Sequence, residues 1–167
     1  MDFLRIIFIF SFGTSVLLGQ STIQETLETY NTESVPYRYS DMVANASQLI
    51  LLDTRAKTEF EVSHLKGAIW VGYLNFDAER VQQQLPDKTA PIVVYCSIGV
   101  RSEEIGEKLM QLGYTQITNL YGGIFEWKNK GNPVYDMDGN ETDKVHAFDR
   151  EWGKLLKKGK RIHPKNP

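Results

Sequence analysis

Short apolar runs alternate along the chain with stretches in which apolar residues recur every three or four positions. Residues 48–53 (QLILLD) form one run, closed by Asp53. Residues 68–71 (AIWV) form a second, 91–95 (PIVVY) the strongest, and 117–120 a fourth. Runs this short and this apolar predict buried parallel strands. Between them, 54–62 carries Phe60 and Val62 behind a polar start, and 75–85 carries Phe76, Val81 and Leu85 before stopping at Pro86. Residues 102–112 place Ile105, Leu109 and Leu112 on one face and end at Gly113. Residues 122–130 turn Ile124 and Trp127 inward and close at Gly131. These spacings and stop signals predict amphipathic helices. Strands alternating with helices through short loops imply an α/β fold, a parallel sheet with helices on both faces. Ligands in such sheets sit beyond the carboxyl ends of the strands, which directs attention to the loop after Tyr95.

Both ends of the chain depart from this alternation. Residues 6–18 (IIFIFSFGTSVLL) come after Arg5 and match the apolar region of a signal peptide over 1–19, with cleavage expected near Gly19 and Gln20. Export to a periplasmic or extracellular space is the expectation. Residues 20–36 read as a polar lead-in outside the core. In the extension 136–167, Val145, Phe148, Trp152, Leu155 and Leu156 fall on one helical stripe. They predict an added amphipathic helix over about 143–158, packed on the domain, with a basic tail (Lys157, Lys158, Lys160, Arg161) after it.

Composition narrows the function. The chain has 167 residues, 41% apolar and 24% charged, which is globular composition. No run reaches the ~18–20 apolar residues of a membrane-spanning helix, so no stable span is expected. Residues 20–150 carry 12 Lys/Arg against 19 Asp/Glu, and so acidic a body argues against a nucleic-acid surface. Three histidines without ligand spacing and one cysteine argue against a metalloenzyme, and no cofactor is implied. Asp136-Met137-Asp138-Gly139-Asn140 lacks the third acidic ligand and terminal Glu of a calcium loop and reads as a turn.

The chemistry is expected at Cys96-Ser97-Ile98-Gly99-Val100-Arg101-Ser102. A strand running through a short loop into a helix can turn its N–H groups inward as an anion-binding nest, aided by the helix dipole. Gly99 permits the turn, and Arg101 adds a permanent cation. Such surroundings favour a thiolate, the nucleophilic form of cysteine. An inert cysteine would leave Gly99 and Arg101 without a task. Ser102 is expected to cap the helix and brace the loop. Glu103 and Glu104 suit the helix dipole and place negative charge near the anion site. Cysteine phosphatases put five residues between cysteine and arginine. Here there are four, a smaller cradle suited to one extra sulfur atom.

Around the loop, Asp53 and Arg55 read as structural, Asp53 capping or tying loops and Arg55 pairing with a carboxylate such as Glu59. His64 reads as a hydrogen-bonded structural residue, and Gly122-Gly123 as a close backbone approach beside the loop. Tyr121 is expected to line the mouth, and Trp127 to sit in the core.

In these blocks the sequence resembles the rhodanese-like domain family. The resemblance rests on Leu51-Leu52-Asp53-Thr54-Arg55, Glu59-Phe60, His64-Leu65-Lys66-Gly67-Ala68, Tyr95 through Ser102, and Leu120-Tyr121-Gly122-Gly123-Ile124 with Trp127. The blocks occur in the family's order over about 37–135. Ser63-His64-Leu65-Lys66-Gly67-Ala68 stands where the family often has Gly-His-Ile-Pro-Gly-Ala. The resemblance implies an open, mainly parallel five-stranded sheet and a sulfurtransferase whose cysteine carries sulfane sulfur as a persulfide. The implied partners are a small sulfur-containing anion and a thiol or cyanide acceptor, or a protein acceptor. The same loop would also serve a non-enzymatic sulfur carrier or redox-interaction module.

Overall fold

A computed structural model describes residues 22–163. The expected signal peptide and the last four residues of the basic tail lie outside the described residues. Five strands form one sheet: β1 (Tyr37–Arg38), β2 (Ile50–Asp53), β3 (Ile69–Trp70), β4 (Ile92–Tyr95) and β5 (Ile117–Leu120). Their order is β1-β5-β4-β2-β3, and every pairing is parallel. Central β4 is buried throughout. Its side chains alternate between faces, as strand geometry requires. Val93 and Tyr95 enter one core cluster, and Ile92 and Val94 the other.

Helices cover both faces: α1 (Ile23–Tyr30), α2 (Ser40–Ala44), α3 (Lys57–Val62), α4 (Ala78–Gln84), α5 (Val100–Gln111) and α6 (Gly123–Asn129). α5 buries Ile105 and Leu109 against Val94, while α6 buries Ile124, Phe125 and Trp127 on the Tyr95 side. The Asp77 side chain caps α4 by accepting from Arg80 N–H at 3.1 Å, and the helix ends before Pro86.

Two expectations about the ends are corrected. Residues 22–36 of the lead-in are part of the packed structure. α1 opens on a capping box between Thr22 and Glu25, a pattern legible in the sequence. Leu27 and Val35 are buried. Gly106 makes room for Val35, since a Cβ there would stand 2.9 Å from the valine side chain.

The added C-terminal α-helix is absent among the described residues. In its place are β6 (Val134–Tyr135), β7 (Glu141–Thr142), β8 (Lys144–His146), a 3₁₀ turn (Trp152–Leu155) and β9 (Lys160–Ile162). β6 and β7 form a hairpin whose turn is made by Asp136, accepting from Asp138 and Asn140 N–H at 3.0 and 2.9 Å. β8 pairs in parallel with β9 and packs against α3. The residues of the apolar stripe are largely buried, but tertiary partners take the backbone groups a helix would use. Ala147 N–H donates to Ile162 O at 2.8 Å, and Lys157 and Lys158 N–H donate to Asn129 Oδ1 at 2.6 and 3.2 Å. Phe148 at φ 64 then breaks the helical path.

Candidate active site

Cys96 comes directly after β4, at the carboxyl end of the sheet's central strand. The loop turns at Gly99, whose φ of 113 excludes most side chains, and α5 begins at Val100. Gly99 N–H donates to Cys96 Sγ at 3.1 Å. The first amides of a helix have no partner within it, so Val100, Arg101 and Ser102 bring further donors to this end of α5.

The loop is held from several sides. Cys96 O and Ser97 O accept from Ile124 and Phe125 N–H, each at 3.0 Å. That approach needs Gly123: a Cβ there would lie 2.4 Å from Cys96 O. Gly123 lies against the loop in this way, whereas a Cβ on Gly122 would meet not the loop but Glu126 Cβ, at 2.3 Å. Ser102 does not cap α5. Its hydroxyl donates to Asn119 Oδ1 at 2.8 Å, and Asn119 Nδ2 donates to Gly99 O at 2.8 Å. Asn31 Nδ2 reaches the same carbonyl at 3.1 Å. The Gly99–Val100 peptide is thus fixed, beside the Ile98–Gly99 peptide whose N–H donates to the sulfur. Asn119 was legible only as a polar residue inside an apolar strand, which requires buried partners.

Arg101 does not stand as a free cation. Its guanidinium makes two hydrogen bonds to the Glu59 carboxylate, at 2.8 and 2.9 Å, and a third to Ser97 Oγ at 3.0 Å. Ser97 Oγ in turn donates to Glu59 at 3.1 Å. Glu59 is consequently the partner of Arg101, not of Arg55. Arg55 instead grips Asp53, with Nη2 to Oδ2 at 2.6 Å and Nε to Oδ1 at 3.0 Å, and donates to Ser63 O at 2.7 Å. Both side chains are fully buried. This pair ties the end of β2 to the end of α3 beneath Tyr95. His64 stacks on Phe60 and lies 3.1 Å from Phe60 O through Nδ1, a structural position.

Burial raises the Glu59 carboxyl, but hydrogen bonds and charge from Arg101, with Arg55 nearby, outweigh it and hold the group at about 2, below its ordinary 4.5. Burial likewise opposes the charge of Arg101, but Glu59 and the Cys96 sulfur keep it protonated. Because the folded carboxyl is the more acidic, its stabilisation is complete above pH 4.5 and is lost as pH falls towards 2. We expect urea denaturation of the wild type to lose on the order of 3 kcal/mol over that window through this group. Glu59→Gln should lack this acid limb, while being less stable at neutral pH because Arg101 keeps a buried charge without its partner.

Glu103 is corrected as well. It turns from the loop to the lead-in, where Oε1 accepts from the N–H and hydroxyl of both Thr32 and Ser34 at 2.9–3.1 Å. Tyr121 packs edge to face on Tyr37 and at a tilt against Tyr39, away from the mouth. The mouth is a cleft of about 260 Å³ with Cys96 in its wall, flanked by Ile98, Val100 and Arg101 and closed by Tyr30, Phe148 and Trp152. Those three aromatics carried no site signal in the sequence. Among the described residues no cluster of His, Cys, Asp or Glu is arranged to hold a metal ion, and no helix is long and apolar enough to cross a membrane.

A strand-end cysteine whose sulfur accepts from a loop amide, on a five-stranded parallel sheet, defines a class of single-cysteine α/β domains. The family model for the rhodanese-like domain matches residues 36–130, and the chain belongs to that family. Adenylyltransferase and sulfurtransferase UBA4 of Candida albicans is 32% identical over 99 residues, covering 56% of this chain and 23% of that protein. The chain thus spans under a quarter of this relative's length. Thiosulfate sulfurtransferase GlpE of Coxiella burnetii is 26% identical over 92 residues, covering 55% of this chain and 82% of that protein. A thiosulfate sulfurtransferase structure from Pseudomonas aeruginosa shares the fold, with TM-score 0.56 and 22% identity over 64% of this chain and 21% of that one.

Proposed function

We propose that the chain is a sulfurtransferase that moves sulfane sulfur through a persulfide on Cys96. The observation that carries this reading is the Gly99 N–H at 3.1 Å from Cys96 Sγ, at the start of a loop opening on a cleft. In the first half-reaction the Cys96 thiolate attacks the outer sulfur of a donor such as thiosulfate. The new bond forms at Sγ as the donor's sulfur–sulfur bond breaks, and sulfite leaves with the electron pair. The loop amides stabilise the terminal sulfur anion as an oxyanion hole stabilises oxygen. In the second half-reaction a thiophilic acceptor, cyanide or a thiol, takes the outer sulfur and returns the thiolate. Glu59 and Ser97 hold Arg101 at the rim, where it orients the donor. The relatedness to GlpE supports thiosulfate as a donor. We also propose that the chain is exported, on the strength of the apolar stretch 6–18 after Arg5.

Transfer through a covalent intermediate gives ping-pong kinetics. Thiocyanate release measured against both thiosulfate and cyanide should give parallel double-reciprocal lines. Intersecting lines would contradict the two-step exchange, and a stable persulfide without turnover would favour a sulfur carrier.

A further inference from the structure

The three aromatic side chains that close the Cys96 cleft all lie outside the family-matched segment 36–130. Tyr30 ends α1, Phe148 lies just past β8, and Trp152 opens the 3₁₀ turn. The two extensions converge here: the Tyr30 and Trp152 rings meet edge to face at 6.0 Å. Phe148 occupies left-handed backbone, φ 64, which bulky residues avoid. Its N–H is tied to His146 Nδ1 at 3.1 Å. The ring so placed lies 4.8 Å from the Arg101 guanidinium carbon. Strain of this kind persists where surrounding structure imposes it, often at ligand sites.

The consequence is a change in what the cleft offers a ligand. Arg101 is matched in charge by Glu59 and covered on one face by Phe148. The remaining walls are Ile98, Val100 and aromatic faces. Beyond Arg101 these walls offer a bare inorganic anion little, whereas an apolar organic group buries surface against them. About 260 Å³ lies just below the ~300–1,000 Å³ usual for small-molecule pockets and suits one ring or branched chain.

We propose that the physiological sulfur acceptor is a low-molecular-weight thiol with an aromatic or branched apolar body, selected by Tyr30, Phe148 and Trp152. This rests on the persulfide reading and names its second substrate. The acceptor loses its thiol proton to solvent, and its thiolate attacks the outer sulfur of the Cys96 persulfide. A sulfur–sulfur bond forms to the acceptor as the bond to Sγ breaks, and the electron pair returns to Cys96. The acceptor leaves as a persulfide, with no oxidant or reductant required.

The test loads the full chain with sulfur from thiosulfate, removes the excess, and adds phenylmethanethiol or 2-mercaptoethanol at equal thiolate concentration. Discharge is monitored by intact mass. Phenylmethanethiol should discharge the protein at least about tenfold faster. That ratio should fall to near unity in Trp152→Ala and in Tyr30→Ala, the latter at a residue 61% exposed. Trp152→Phe, which keeps a ring, should retain the preference. Unreactive benzyl methyl sulfide should quench tryptophan fluorescence in the wild type and not in Trp152→Ala. Equal discharge rates in the wild type, or a preference unchanged in both alanine variants, overturns the assignment. Quenching without any sulfur loading would leave the apolar site standing and defeat the persulfide reading. Loading with neither preference nor quenching would do the reverse.

Discussion

Cys96→Ser is expected to lower thiosulfate:cyanide turnover by at least about 10³-fold. Serine matches cysteine in shape, and its hydroxyl can still accept from Gly99 N–H, so the loop keeps its form. Its oxygen does not take up sulfane sulfur, and the hydroxyl is a poor nucleophile without a neighbouring base. The Asp53–Arg55 and Glu59–Arg101 pairs do not touch Sγ, so the fold should survive. Steady-state kinetics and a thermal melt on the same preparation check both halves. A stable variant that retains more than a few per cent of wild-type turnover would assign the chemistry to another group.

Gly123→Ala is expected to have the largest effect on the fold. The residue sits at φ 53, and an added Cβ would stand 2.4 Å from Cys96 O and 2.7 Å from Ser97 C. Left-handed backbone alone costs a non-glycine residue roughly 1–2 kcal/mol. The collision must also push α6 off the loop and break the bonds from Ile124 and Phe125 to Cys96 and Ser97. Together these should cost about 3 kcal/mol or more, a fall in Tm of about 10 °C. Gly139→Ala separates the two causes. Gly139 has φ 79 with nothing within 4 Å of its Cβ position, so only the backbone cost applies there. Equal melting shifts in the two variants would show that the contact with the active loop contributes nothing.

The sheet and the strand that ends at Cys96 are legible because their signals are local. β4 is an uninterrupted apolar run, and β5 falls at the predicted 117–120. β1 escaped because two residues, Tyr37 and Arg38, carry too little pattern to mark a strand. α5 starts at Val100 instead of Ser102, since the glycine turn, not a side-chain cap, begins it. Within the site, Cys96, Gly99 and Gly123 announced themselves through residue type. The pairing of Arg101 with Glu59 did not, because two carboxylates and two arginines allow more than one assignment, and only the position of α3 decides it. The C-terminal extension misled for a related reason. Apolar spacing records which residues are buried, and Val145, Leu155 and Leu156 are. It does not record whether the backbone finds its partners within one helix or along β9 and α6. The cleft aromatics stay hidden because their meeting joins chain segments that precede and follow residues 36–130 in the sequence.

Thiosulfate treatment of the folded chain, with subsequent alkylation, digestion and peptide mass spectrometry, addresses the central claim most directly. The peptide containing Cys96 should carry one additional sulfur atom, lost again on adding cyanide. An unmodified Cys96 peptide from a chain with an intact thermal transition would contradict it.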